Sequence, residues 1–315
     1  MSRSTPIATC LVTLLSSLML LAPLSGCSGA KKRASLTIAE RLAKARGDTT
    51  PGGQARELAK IARLQFKSGD KTGAGITLAE ARKTIRTDAD PTVFGPRLVD
   101  IATTYAILGE KKPAREAADR AMVLADTMTD AVAQTDLLAK IGVVYGSRET
   151  GLGDAIKAKE SLAKAAAIAS GDQVTERFRA QALAAVALGY ANANLAADAT
   201  PVIEKLETLA ASLTDLRPKA EALAAAANVY AKSGAQDKAA ALLVEAAKAA
   251  RQIDSSANKA YALIAVGNAA NVAGDKKAAA ALAAEAEKTT GKIADPEQQK
   301  DALQDVRALQ AAIKK

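Results

Sequence analysis

Two cysteines, Cys10 and Cys27, and no histidine leave this chain of 315 residues with few groups capable of covalent chemistry. Without imidazole there is no Ser-His or Cys-His pair to activate a nucleophile. Zinc, copper or haem sites that need His or several Cys ligands are excluded as well. The carboxylates are scattered over polar helix faces and form no pair with an apolar pocket around it, so general acid–base catalysis has no visible seat. No metal, cofactor or catalytic residue is therefore expected, and the chain does not read as an enzyme. What remains is one thiol in a telling place and a series of asparagines and lysines recurring at long, regular spacing.

The thiol is Cys27. It follows Leu24-Ser25-Gly26, which closes an apolar run from Leu11 that is preceded by a start with a single cation, Arg3. A charged start, an apolar stretch and then small residues is the order of an export signal. Leu24-Ser25-Gly26-Cys27 resembles the lipobox of bacterial lipoproteins. That resemblance implies cleavage before Cys27, a lipidated Cys27 as first mature residue and a place in the cell envelope. With Ser28 next, it implies the outer membrane facing the periplasm where the organism has one. An uncleaved anchor and a signal cut by an ordinary peptidase are the other readings; the apolar run is shorter than the ~20 residues a spanning helix needs. Lys31-Lys32-Arg33 lies just beyond and opposes translocation.

Alanine supplies 77 residues, followed by other strong helix formers, while aromatic residues make up 3%. No Asn-Gly or Asp-Gly turn joins alternating apolar runs, so the expected class is all-α. Removing residues 1–26 takes away one cation and leaves a net charge of +8. Those cations are interleaved with carboxylates, as in Glu57/Lys60 and Glu245/Lys248, which describes a solvated surface. Nucleic acid is a poor partner, because no aromatic stacking residues sit among the cations.

Internal repetition organises the rest. Tyr105, Tyr145, Tyr190 and Tyr230 recur at spacings of 40, 45 and 40. Turn residues fall at Gly69, Gly109, Gly153, Asn194, Gly234 and Gly274, and Gly and Asn tolerate the left-handed conformation that ends a helix. Ala74, Ala114, Ala158, Ala199, Ala239 and Ala279 follow five residues later. Between copies stand helix-start signals: Asp90-Pro91, Thr129-Asp130, Ser170-Gly-Asp172, Thr214-Asp215 and Ser255-Ser256. Thr200-Pro201 opens a second helix in the fourth copy, and Asp295-Pro296-Glu297 opens the last helix. The stripe Leu303, Val306, Leu309 and Ile313 on that last helix would close the stack.

This register resembles the tetratricopeptide repeat (TPR). The residue three before the tyrosine position is small, as in that family: Ala102, Gly142, Ala187, Ala227 and Gly267. The period near 40, the missing early tryptophan, the missing closing proline and an insertion at Ser147 to Leu152 depart from it. Longer two-helix repeats are the rival label. The resemblance implies a right-handed α-solenoid of about six TPR-like helix pairs plus a C-terminal capping helix. The expected organisation is a signal peptide over 1–26, an anchor, tether and leading helix over 27–52 (the helix itself from about Leu36 to Arg46), repeats over 53–294 and a capping helix over 295–315.

In the family, the first helix of each pair lines a groove, with the tyrosine position packed behind it. Carried onto this chain, the groove positions are Arg63, Lys67, Asn192, Asn228, Lys232, Asn268 and Asn271, with Tyr261 at the edge. Asparagine amides can both donate to and accept from an extended peptide backbone, and Lys232 can meet a carboxylate. The functional expectation is a membrane-anchored scaffold that binds a protein or peptide through this face. The alternative is a cell-envelope structural element whose basic surface meets anionic lipid or wall polymer. Gly69 to Gly75 has the glycines of a phosphate loop but lacks the adjacent Gly-Lys-Thr and a preceding strand, and so reads as a repeat turn.

Overall fold

A computed structural model describes residues 36–50, 52–86 and 90–314; the apolar run and Cys27 lie outside the described residues. From Thr37 onward the chain forms one compact unit. It is all-α: among the described residues there are fourteen α-helices, one short 3₁₀ turn and no strand.

A leading helix, α1 (Ile38–Arg46), is set by a capping box in which Thr37 and Glu40 satisfy each other's backbone donors. Its start lies two residues after the expected one, because Thr37 offers the oxygen that the first turn needs. The next twelve helices pack in adjacent pairs, or units. They are α2 (Gly53–Lys67) with α3 (Lys71–Lys83), α4 (Pro91–Leu108) with α5 (Lys111–Asp126), and α6 (Ala131–Gly146) with α7 (Ala155–Ser170). Then come α8 (Glu176–Asn192) with α9 (Thr200–Ser212), α10 (Leu216–Lys232) with α11 (Gln236–Arg251), and α12 (Ser256–Val272) with α13 (Lys276–Thr290). The last helix, α14 (Pro296–Ile313), packs on both α12 and α13.

The six expected turn residues all have positive φ, from 62° at Asn194 to 91° at Gly69. A Cβ at Gly69, Gly109, Gly153, Gly234 or Gly274 would meet nothing within 4 Å, so backbone conformation and not crowding explains glycine there. Helix starts are equally local. Asp90, Asp130, Asp215, Ser255 and Asp295 each accept a backbone N–H of the first turn, a contact that contributes about 1 kcal/mol. The start after Ser170 differs: α7 runs through Ser170 and α8 begins after Thr175, whose side chain makes no capping bond, so the Gly171–Asp172 signal marks a loop.

Within each unit the two helices pack on one another. Across units the first helices also touch in order, α2 on α4, α4 on α6, α6 on α8, α8 on α10 and α10 on α12. Small residues make close packing possible both across and within units. A Cβ on Gly95 of α4 would lie 2.5 Å from Leu137 Cδ2 of α6, and one on Gly142 of α6 would lie 2.6 Å from Leu162 Cγ of α7. Leu309 and Val306 of α14 are buried, whereas Leu303 and Ile313 are half-buried. Tyr105, Tyr145 and Tyr190 are buried in the core. Tyr230 is half-buried, with Lys238 Nζ 5.0 Å from its ring centre.

Candidate functional site

The row of first helices carries two separate depressions. The first is a groove of about 370 Å³ where α8, α10 and α12 lie side by side. Its floor is alanine, including Ala184, Ala225 and Ala265, because three neighbouring helices present methyl groups where longer chains would fill the gap. Asn228 and Asn268 line it, together with Gln181 and Glu221. The Oδ1 atom of Asn228 is buried and accepts no hydrogen bond among the described residues. A buried acceptor left without a donor costs about 1–3 kcal/mol, so its presence calls for an explanation. Asn268, one repeat further on, is exposed at the groove.

Glu221 of this groove belongs to a polar cluster that continues beyond the lining. Arg217 donates to Glu221 Oε1 at 2.8 Å and to Asn258 Oδ1 at 2.8 Å. Its guanidinium carbon stands 5.3 Å from the Tyr261 ring centre, within cation–π range. Tyr261 also donates to the Gln298 carbonyl at 3.4 Å, tying α12 to α14. The expected edge residue is therefore engaged in holding helices together.

The second depression is a cleft of about 780 Å³, bordered by Ser147 to Thr150, Asn192, Asn194 and Lys232. Lys232 Nζ donates to Asn192 Oδ1 at 2.6 Å, linking the ends of α10 and α8. Sequence reasoning grouped Asn192 and Lys232 with Asn228 and Asn268 on one face; the structure divides them between the two depressions. The reason is axial distance: Asn192 and Lys232 occupy the final turns of their helices, whereas Asn228 and Asn268 lie a turn or more before. Asn271 is half-buried near the end of α12 and borders neither depression.

Arg63 and Lys67, at the corresponding places on α2, behave differently again. Arg63 Nε donates to Thr104 Oγ1 at 2.8 Å and Nη2 to the Asp100 carbonyl at 3.2 Å, bridging α2 to α4. Lys67 is exposed. The Gly69–Gly75 segment is the turn into α3, where Asp70 caps the helix by accepting the Gly73 N–H.

Gln181 and Glu221 were not singled out in the sequence, although a signal existed. Together with Tyr261 they recur at intervals of 40, the same offset that relates Asn228 to Asn268. Among the described residues no group of His, Cys, Asp and Glu could hold a metal ion, and no helix is long and apolar enough to cross a membrane.

No known protein family matches the chain, and no curated protein does. Among solved structures, the crystal structure of Ton1535 from Thermococcus onnurineus NA1 aligns with 84% of this chain and 94% of its own, at 14% identity and a TM-score of 0.42.

Proposed function

We propose that this protein is a lipid-anchored, non-catalytic scaffold that takes an extended peptide segment of a partner protein into the α8–α10–α12 groove. The observation that carries the reading is the buried Asn228 Oδ1, without a donor among the described residues, in an alanine-floored groove with Asn268 beside it. An extended backbone offers N–H donors at regular intervals, and Asn268 adds a further donor and acceptor one repeat away. Small methyl groups let a main chain approach closely. They supply few bulky anchors, so the affinity fits the micromolar range, about −8 kcal/mol.

The architecture belongs to the same reading: a right-handed TPR-like solenoid of six helix pairs, led by α1 and closed by α14. It is supported by positive φ at all six turn positions and by like residues at offsets near 40. Membrane attachment through Cys27 rests on the lipobox-like Leu24-Ser25-Gly26-Cys27. Acyl chains there would supply the membrane affinity, helped by about 1 kcal/mol for each cation of Lys31-Lys32-Arg33 near anionic headgroups.

The groove is tested with a photo-crosslinking residue at position 181, on its exposed rim. Cross-linking in envelope fractions should yield a discrete protein adduct that disappears with Asn228→Ala/Asn268→Ala, while the thermal melt stays unchanged. An adduct indifferent to both substitutions overturns the groove assignment. Attachment is tested separately: Cys27→Ser should move the protein out of the membrane fraction, and an intact Met1 in the mature protein would reject the lipid anchor.

A further inference from the structure

The second depression is built differently, and its parts point to a different kind of ligand. Five of the six repeat turns use glycine; the fourth uses Asn194, at φ 62°. Its side chain explains the exception. Asn194 Oδ1 accepts the Arg148 N–H at 3.2 Å, fastening the inserted Ser147–Leu152 segment of one unit to the turn of the next. That segment is ordered from within as well. The Leu152 N–H reaches the Val144 carbonyl at 2.8 Å, Asp154 N–H reaches Tyr145 O at 2.7 Å, and the Ser147 and Thr150 hydroxyls meet at 3.0 Å. The insertion is thus a fixed wall and not a slack loop, as a preorganised site requires.

Three helices, α6, α8 and α10, end around the cleft, and bare helix C-termini would favour a cation. Here many of those terminal carbonyls are already taken. Val143, Val144 and Tyr145 accept N–H groups from the inserted segment and the residues flanking it; Gly189 and Tyr190 accept from Ala193 and Leu195; Val229 and Tyr230 accept from Ser233 and Ala235. Those N–H groups offset part of the negative field of the helix ends, and the lining side chains add a net +1: Arg148 and Lys232 against Glu149. Arg148 has no ion pair among the described residues, and Lys232 is bonded only to the neutral Asn192 amide. Because that bond occupies the Asn192 oxygen, its amide N–H₂ is left as a donor at the cleft. Lys232 is exposed, yet desolvation against the cleft wall lowers its pKa from the ordinary value, opposed by the Glu149 charge.

We propose that this cleft is a second ligand site, for a small polar molecule bearing an oxyanion (carboxylate or phosphate), with Lys232 and Arg148 as its counter-ions and the Asn192 amide as a further donor. The volume lies within the ~300–1,000 Å³ of ordinary small-molecule sites. The site is independent of the asparagine groove and does not require the peptide-binding reading.

Calorimetric titration of the full chain in detergent with inorganic phosphate, citrate and acetate, at constant ionic strength, tests it. Saturable binding of phosphate or of a carboxylate is expected, and which of the two binds identifies the source of the oxyanion. Lys232→Met should weaken binding tenfold or more, Arg148→Gln should weaken it as well, and Lys112→Gln on α5, which does not line the cleft, should leave it unchanged. Asn194→Gly is the decisive control for folding. Glycine keeps the left-handed turn while releasing the Arg148 N–H, so affinity should fall several-fold with little change in melting temperature. No saturable binding of any of the three anions overturns the proposal, as does binding that Lys232→Met and Arg148→Gln leave intact.

Discussion

Arg63 on α2 and Asn228 on α10 stand at the same place in the repeat, four residues before the end of their helices, yet one region is closed and the other open. At Arg63 a long side chain crosses to α4 and satisfies the Thr104 hydroxyl and the Asp100 carbonyl. At Asn228 a short side chain faces alanines, and its buried oxygen finds no donor among the described residues. The difference teaches that register alone does not make a binding position. A groove survives where the side chain is too short to reach the next helix and the neighbours are too small to fill the space.

Several substitutions would break or sharpen this contrast. The largest effect belongs to the contacts that both regions share. Gly142→Val would drive a branched side chain into the buried Leu162, and overpacking of that kind costs about 1–3 kcal/mol. Chemical denaturation should show it as a lower midpoint with little change in slope. Next comes the contrast itself. Arg63→Ala should cost about 1 kcal/mol through its lost hydrogen bonds. Asn228→Ala should stay within about 0.5 kcal/mol of the parent or stabilise it, since no bond is lost. Equal destabilisation by the two would mean that Asn228 has a structural partner after all. Ala265→Leu, placed on the groove floor, should abolish peptide capture while leaving the melting temperature near the parent value.

The smallest effect is electrostatic and lies between the two regions, where α5, α6 and α7 meet. Burial raises the Asp119 carboxyl pKa, but the hydrogen bonds from Lys157 and Tyr145 outweigh it, so the folded value is lowered. A lowered carboxylate contributes stability that is present above its unfolded pKa of about 3.9 and lost as pH falls through the folded value. Melting temperature should therefore drop on acidification below about pH 4, and Asp119→Asn should flatten that dependence. The pair is substantially exposed, so the contribution is a fraction of a kcal/mol.

Much of the fold was legible in particular residues. Asp90-Pro91, Asp130, Asp215 and Ser255 capped the helices they were expected to cap, and Gly109 and Gly234 ended helices in the left-handed conformation. These signals are local: a side-chain oxygen or a missing Cβ acts within a few residues of itself. The candidate site was legible only in part. Asn228 and Asn268 could be paired by their offset of 40, and the same offset could have added Gln181 and Glu221. Arg63 could not be dismissed in advance, because its partners Thr104 and Asp100 lie on the following unit.

By itself the sequence determined the all-helical class, the places where helices start and turn, and the offset that relates like positions. It did so because helix propensity, capping and left-handed turns are short-range properties of the chain. Only the tertiary structure decided that one set of asparagine and lysine positions falls into two depressions, and that Arg63 is bound while Asn228 Oδ1 meets no donor among the described residues. It also decided that Asn194 fastens an inserted segment from the preceding unit. Those outcomes depend on which side chain of a neighbouring helix arrives within hydrogen-bonding reach, across separations of about 40 residues that no local signal spans.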